Sequence, residues 1–242
     1  NLVGVAISNA AFPRMTERLA EGRVDLFKKE LRSVFRWIVW LALPIAVITF
    51  FARGYVVAFI KNGGQPAIAS VLGALVISIF FRTLYHIMAR TFYAQQDTRT
   101  PLYISIATIS LNILLAIVFT QLFGLGVFGL AWAQSIVSVV EIAILLTILH
   151  VRTPGIFNHK TLRSIITMMV ASAIMGVVTY FVVQMLQLQS RDMNFMAVFP
   201  KFTVIVVVSF AVYIALSKVF KLEEADPIVA KLRQLLFGRV RR

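Results

Sequence analysis

Three basic residues, Arg82, His86 and Arg90, recur at every fourth position of an otherwise apolar stretch. Because an α-helix turns once in 3.6 residues, this spacing places them on one helical face, about 6 Å apart along the axis. Most of that face is expected at bilayer depth, where a positive side chain costs free energy unless it faces protein, water or a substrate. The three residues are therefore the first candidates for a binding site.

Each of these three residues, which we call the basic ladder, also has an ordinary structural interpretation. Arg90 lies near the end of its predicted helix, so it either extends to the lipid headgroups or faces a cavity. Arg82 is about 12 Å deeper along the helix, which favours a cavity-lining position for it. His86 lies between them and is either a packed, hydrogen-bonded residue or a ligand contact.

Glu141 is the only acidic residue well inside a predicted span. A carboxylate in lipid must pair with a cation, take up a proton or face water. Pairing with Arg82 fits the depth of the two residues, and a protonated hydrogen bond between helices fits equally well. Glu141 is the fourth candidate for the binding site.

Asn112, with Ser105, Thr108 and Ser110 nearby, places amide and hydroxyl oxygens in another span. Most such groups form hydrogen bonds between helices, and an ion site at Asn112 is the less favoured alternative. The rest of the sequence contains no catalytic motif, and its histidines lack metal-ligand spacing. We therefore expect a protein that is not an enzyme and has no cofactor and no metal site.

The composition indicates a membrane protein. Of the 242 residues, 60% are apolar and only 14% are charged, and the mean hydropathy is +0.87. Soluble domains are nearer half apolar and a quarter charged. The absence of cysteine excludes disulfides and thiolate metal sites. A net charge of +14 is compatible with nucleic-acid binding, but in so apolar a chain it more often marks the cytosolic side of a membrane protein.

Apolar runs predict six complete membrane spans and one half span. The complete spans are expected at 37–51, 67–94, 101–122, 127–149, 165–186 and 198–216. The half span occupies the first 13 residues, which lack an initiator methionine and a basic region, so we expect the C-terminal part of a longer protein. The polar segment 14–36 predicts a short helix lying at the headgroups. Thr100 and Pro101 are expected to cap and start a span.

The basic residues divide unequally between the two sides of this topology. One side comprises the loops 14–36, 95–100 and 150–163 and the tail 218–242, and together with the flanking Arg90 it carries 19 lysines and arginines. The other side carries four, namely Arg53, Lys61, Arg191 and Lys201. The positive-inside rule places the first side in the cytosol. Nucleic acid is then not needed to explain the charge.

Two segments resemble the MurJ/MviN family of lipid II flippases. VGVAISNAAFPRMTERLAEG (3–22) resembles the end of that family's eighth helix, and ARTFYAQQDTRTP (89–101) resembles its R-x-F-Y-A-x-x-D-T-x-T-P turn. The resemblance implies an all-α polytopic membrane protein that contains half of helix 8 and helices 9 to 14 of a 14-helix transporter. The family belongs to the multidrug/oligosaccharidyl-lipid/polysaccharide exporter superfamily.

The resemblance further implies a division of labour along the chain. Residues 1–149 would form the second lobe of the transporter, 150–217 a groove for the lipid tail, and 218–242 a basic amphipathic cytosolic tail. The implied activity is the flipping of lipid II, the lipid-linked peptidoglycan precursor, from the inner to the outer leaflet of the bacterial cell membrane. The implied partners are lipid II, membrane lipids and the N-terminal lobe of the same protein.

Arg82, His86 and Arg90 would contact the pyrophosphate head group, and Glu141 would balance their charge. Some relatives bind sodium through an Asn and an Asp one turn later, whereas Asn112 is followed here by Ala116. Coupling to sodium or to the membrane potential stays open. Two alternatives remain: another polysaccharide-lipid or drug exporter of the superfamily, and a membrane scaffold for cell-wall synthesis.

Overall fold

The computed structural model describes residues 2–60, 65–188, 195–227 and 230, and within these ranges every regular element is helical. The helices, in chain order, are α1 (Leu2–Ala20), α2 (Val24–Phe51), α3 (Arg53–Ile60), α4 (Pro66–Ala94), α5 (Arg99–Ile117), α6 (Gly126–Arg152), α7 (His159–Met185) and α8 (Phe195–Val219). A π-helical turn, Val118–Leu122, extends α5.

Six of these helices are long and apolar enough to cross a membrane, as the hydropathy of the sequence predicts. They are α2, α4, α5 with its π-helical turn, α6, α7 and α8. We call the end of the bundle that holds the turn 95–98 the basic end. At this end α1, α4, α6 and α8 finish, and α2, α5 and α7 begin. Lys61, Arg191 and all residues from 231 onwards lie outside the described residues.

The predicted headgroup helix at 14–36 is wrong. The segment is instead the end of α1 and the start of α2, and these two helices are separated by a turn at Gly22. Gly22 has a φ of 71°, and the next amide donates to Arg18 O at 2.8 Å, which is how a helix commonly ends at glycine. The apolar side of the segment packs inside the bundle, since Met15 and Phe27 are fully buried.

The helices pack side by side around α4. One side of α4 contacts α6, which in turn contacts α5, and the other side contacts α1 and α2. Helix α7 packs against α2, and α8 packs against α7. Small side chains bring α4 and α6 together, as Ser78 and Ser138 share a hydrogen bond of 3.1 Å and Ser135 donates to Ala74 O at 2.6 Å. Hydroxyl contacts of this kind commonly join helices in membranes.

Aromatic and hydroxyl side chains attach the last helix to the bundle. Trp40 of α2 is 1% exposed, donates from Nε1 to Ser217 Oγ at 3.1 Å, and lies 5.4 Å from the ring of Tyr213. Between α7 and α8, Thr179 and Ser209 share a buried hydrogen bond of 2.8 Å. Helices α7 and α8 therefore form a unit that is fixed to α2 by Trp40.

Two apolar cavities lie beside α7. One of about 550 Å³ is formed by residues of α2, α4, α6 and α7 with Phe157, and one of about 380 Å³ lies between α2 and α7. Neither is lined by α8. The lipid-tail groove at 150–217 stays a prediction, and of its two helices only α7 lines these cavities.

Candidate functional site

A polar cavity of about 280 Å³ lies between α4, α5 and α6. Its polar lining residues are Arg82, Tyr85, Ser105, Thr108, Asn112, Gln134 and Glu141. Ser105, Thr108 and Asn112 are three and four residues apart and so lie on one face of α5. Gln134 and Glu141 are seven residues apart and lie on one face of α6, which runs antiparallel to α5. These polar residues lie along helices whose other surfaces are apolar enough to contact lipid. The cavity is therefore polar and lies within the predicted thickness of the membrane.

Arg82 is exposed to this cavity, and the side-chain amide of Gln134 orients its guanidinium. With its oxygen turned towards the arginine, the amide accepts hydrogen bonds from Arg82 Nη2 at 2.9 Å and from Nε at 3.2 Å. This is the orientation that arginine requires, because a guanidinium has only donors. In this orientation the Gln134 amide nitrogen lies 3.0 Å from Asn112 Nδ2, so the side chains of Arg82, Gln134 and Asn112 lie next to one another across α4, α6 and α5.

Glu141 does not pair with Arg82. Its Oε1 accepts hydrogen bonds from Ser105 Oγ at 3.1 Å and from Thr108 Oγ1 at 3.4 Å, both on α5. Tyr85 OH lies 3.1 Å from Ser105 Oγ and extends this network to α4. Equal depth was a poor guide to pairing, because the rotation of each helix about its axis decides which side chains meet. The two charges share a cavity but contact different partners.

The three members of the basic ladder have different surroundings. Only Arg82 lines the polar cavity. His86 is half-buried with its ring 6.1 Å from that of Tyr85, and the half-buried Arg90 lies over the ring of Phe12 in α1, 5.4 Å from its centroid. Stacking on an aromatic ring stabilises a cation away from water, so Arg90 is held by α1. A direct role for His86 and Arg90 in binding stays a prediction.

The turn between α4 and α5 is organised by Asp97. Its Oδ1 accepts hydrogen bonds from the amides of Arg99 and Thr100, both at 3.0 Å, and Oδ2 accepts from the Thr100 hydroxyl at 2.6 Å. Arg152, the last residue of α6, donates to the same carboxylate. The prediction that Thr100 is the cap is therefore wrong, since Asp97 supplies the capping oxygen. Pro101 lies in the first turn of α5, as expected.

Replacing Asp97 by alanine should lower the free energy of unfolding by about 1–3 kcal/mol. The lost cap costs about 0.5–2 kcal/mol, and the lost ion pair with the half-exposed Arg152 costs about 0.2–1 kcal/mol. Asp97→Asn keeps one side-chain oxygen for the backbone amides of Arg99 and Thr100, so it should lose only the ion pair and the bond from the Thr100 hydroxyl. Thermal unfolding in detergent measures both, and a loss in Asp97→Asn as large as that in Asp97→Ala would contradict the capping role.

The same carboxylate predicts an acid dependence. Hydrogen bonds from the Thr100 hydroxyl and amide, and then the Arg152 guanidinium, hold the pKa of Asp97 below its ordinary value. The resulting stabilisation is fully present above the ordinary pKa of about 3.9 and is lost as the pH falls towards the folded value. The stability difference between wild type and Asp97→Asn should therefore shrink below about pH 4.

Two residues of the polar cavity, Gln134 and Tyr85, were not predicted from the sequence. Gln134 precedes Glu141 by seven residues, or about two helical turns, so both lie on one face of an otherwise apolar span. That spacing was the available signal. Tyr85 gave none, because a tyrosine next to a polar face is common near the ends of spans.

The fold and the site define a multi-pass helical membrane protein with a polar cavity between its spans that contains one arginine and one glutamate. The sequence profile described as "Lipid II flippase MurJ" matches residues 1–221. This chain belongs to the MurJ lipid II flippase family, as its two motif segments indicated. The members of this family are transporters.

Individual relatives agree with this assignment. A probable lipid II flippase MurJ of Thermotoga maritima is 25% identical over 236 residues, which cover 95% of this chain and 45% of the relative. Its counterpart in Vibrio cholerae is 25% identical over 184 residues, covering 72% of this chain and 34% of the relative. That of Borreliella burgdorferi is 24% identical over 138 residues, covering 54% and 27%. The chain thus spans less than half the length of these relatives.

A solved structure shares the fold. The chain is similar to a structure described as lipid II flippase MurJ in its inward closed conformation, with a TM-score of 0.70 and 20% identity. The match covers 90% of this chain and 43% of that chain. The all-α architecture expected from the sequence is confirmed, and the observed helices correspond to a part of a larger transporter fold.

Proposed function

We propose that this chain forms the C-terminal part of a lipid II flippase, which moves its substrate from the inner to the outer leaflet by alternating access. Family membership supports lipid II as the substrate, and Arg82 is the residue that supports this proposal most directly. Its guanidinium is exposed in a polar cavity within the membrane and is held in place by Gln134. A cation in this position stabilises the negative charge of a head group that has to cross the bilayer.

Arg82 has donors left for a phosphate. A guanidinium has five N–H groups, and the Gln134 oxygen accepts from Nε and from Nη2, so the donors on Nη1 stay available. Phosphate oxygens accept paired hydrogen bonds from arginine with good geometry. Because Gln134 fixes the plane of the guanidinium, the direction from which a phosphate binds is fixed as well. His86 and Arg90 extend the same helical face towards the basic end and are proposed to guide the head group along it.

Glu141 has a different proposed role. It lines the same cavity as Arg82, and its contacts with Ser105 and Thr108 hold it against α5. A nearby negative charge weakens the hold of an arginine on a phosphate. Transport requires release as well as binding, and it depends on the difference in affinity between inward-open and outward-open states. Glu141 therefore balances the charge so that the head group leaves.

The proposal also assigns an orientation in the membrane and a path for the lipid tail. The basic end faces the cytosol of a bacterial inner membrane, and the C-terminus lies on that side. The isoprenoid tail stays in lipid and runs along the apolar surface of α7 and α8. No bond of the substrate is made or broken, so the protein is a transporter rather than an enzyme and needs no cofactor. Energy coupling through sodium or the membrane potential is left open.

Glu141→Gln tests this mechanism in the full-length protein reconstituted into vesicles with lipid II. Glutamine keeps an acceptor for Ser105 and Thr108 but removes the charge. We expect lipid II to bind about tenfold more tightly, which corresponds to about 1.4 kcal/mol, and its transfer between leaflets to slow. Accessibility of labelled lipid II to an impermeant reagent measures the transfer.

A second substitution at the same position serves as the comparison. Glu141→Leu removes both the charge and the hydrogen bonds, so it should also lower the thermal stability, whereas Glu141→Gln should not. Weaker binding of lipid II by Glu141→Gln, or unchanged transfer, would contradict the charge-balancing role. Absence of transfer by the wild-type protein would contradict the proposed function itself.

A further inference from the structure

We infer that a second, separate cavity at the basic end binds the phosphodiester head group of an anionic membrane phospholipid such as phosphatidylglycerol. This cavity of about 480 Å³ lies where α2, the start of α7 and the segment after α8 meet. Its lining residues include Lys29, Arg32, Arg36, Trp37, Lys160 and Thr161. None of them lines the cavity of Arg82.

The wall of this cavity is built by contacts between distant parts of the chain. Arg36 donates to Glu224 and, at 3.0 Å, to Glu223, and Lys160 lies 3.6 Å from Glu223. Hydrogen bonds from Arg36 keep the pKa of Glu223 below its ordinary value, so this carboxylate stays charged at neutral pH. Leu222 and Ala225 are buried on either side of the pair. The segment after α8 is therefore docked, and the cavity is a formed feature of the fold.

The charge of the cavity is unbalanced. Four cations line it against the two carboxylates of Glu223 and Glu224, which gives a net formal charge of +2. Arg36 and Lys160 contact these carboxylates, whereas Lys29 and Arg32 have no carboxylate oxygen within 4.0 Å among the described residues. Arg32 uses Nε for the carbonyl of Lys28, which leaves its terminal nitrogens for a ligand. Two unpaired cations on adjacent turns of α2 favour an anion with several oxygens.

The position of the cavity identifies the source of that anion. Arg36 and Trp37 mark the start of the apolar part of α2, and the apolar part of α7 begins a few residues after Thr161. Lipid headgroups lie at this level, and a tryptophan at the edge of a span is typical of the membrane interface. Basic pockets between spans on the cytosolic side commonly bind anionic head groups. A phosphodiester that is already anchored by its acyl chains is present there at high local concentration.

The test uses the full-length protein purified in detergent and exposed to phosphatidylglycerol, phosphatidylcholine or inorganic phosphate. The probe is lipid retained by the protein, counted by native mass spectrometry. We expect the wild type to retain phosphatidylglycerol at least tenfold more tightly than phosphatidylcholine. The Lys29→Gln/Arg32→Gln variant should lose this preference. The wild type and this variant should unfold at the same temperature in the absence of added lipid, because neither Lys29 nor Arg32 has a carboxylate partner to lose.

The matched control is Lys218→Gln/Arg163→Gln, which removes the same two charges from exposed positions outside the cavity. It should retain phosphatidylglycerol like the wild type. An equal loss in this control would show that overall charge, and not the cavity, attracts the lipid. Equal retention of the two lipids by the wild type, or retention of phosphatidylglycerol by the Lys29→Gln/Arg32→Gln variant, would overturn the proposal. If millimolar inorganic phosphate displaces the retained phosphatidylglycerol as effectively as added lipid does, the site binds a free anion instead.

Discussion

Arg82→Ala is expected to abolish growth support by the full-length protein in a strain depleted of its flippase, while the amount of protein in the membrane stays normal. Each hydrogen bond between a charged donor and a phosphate contributes about 1.5–3 kcal/mol. Losing two of them weakens head-group binding at least about 100-fold. Stability should change little, because Arg82 is exposed and its contact is with Gln134 alone among the described hydrogen bonds.

Two further variants make this result specific. Arg99→Ala removes an exposed arginine at the basic end that does not line the polar cavity, and it should support growth normally. Gln134→Leu leaves Arg82 charged but without its orienting amide, so transport should fall while the protein remains in the membrane. Full growth with Arg82→Ala would reject the role in binding. Full growth with Arg82→Ala and Glu141→Leu combined would favour a scaffold, which has no need of either charge.

Trp40→Ala is expected to lower the free energy of unfolding by about 3–5 kcal/mol, the usual cost of truncating a fully buried aromatic residue. Trp40 is 1% exposed, and its loss leaves a cavity between α2 and α8. The substitution also removes the hydrogen bond to Ser217 Oγ and the contact with the ring of Tyr213. The last helix should loosen first, and thermal unfolding in detergent measures the overall loss.

Trp132→Ala is the control for this prediction. Trp132 lies on α6 with 37% of its surface exposed, so the same change of residue type removes much less buried contact. We expect a loss below about 1.5 kcal/mol there. Trp40→Phe should fall between the two variants, because it keeps the ring but not the Nε1 donor. A loss in Trp132→Ala equal to that in Trp40→Ala would show that burial between α2 and α8 is not the cause.

The sequence alone determined the spans and the distribution of charge. Hydropathy over about 20 residues is a local property, and lipid requires each spanning segment to satisfy its own backbone hydrogen bonds. The six long helices therefore appear where the apolar runs predict them. The segment 14–36 is the exception. Its amphipathic pattern is the same whether the apolar side contacts lipid or protein. Only the tertiary structure shows that this side packs against protein.

Contacts between helices were decided by the tertiary structure. Arg82 meets Gln134 rather than Glu141, and Asp97 rather than Thr100 caps α5, because helix rotation and turn geometry select the partner. Arg36 binds Glu223 and Glu224 from the far end of the chain, a pairing that no local pattern indicates. The sequence thus specified which polar groups lie within or beside the membrane. Only the packing of the helices, which fixes distances between remote residues, determined which of those groups face one another and which remain available to a ligand.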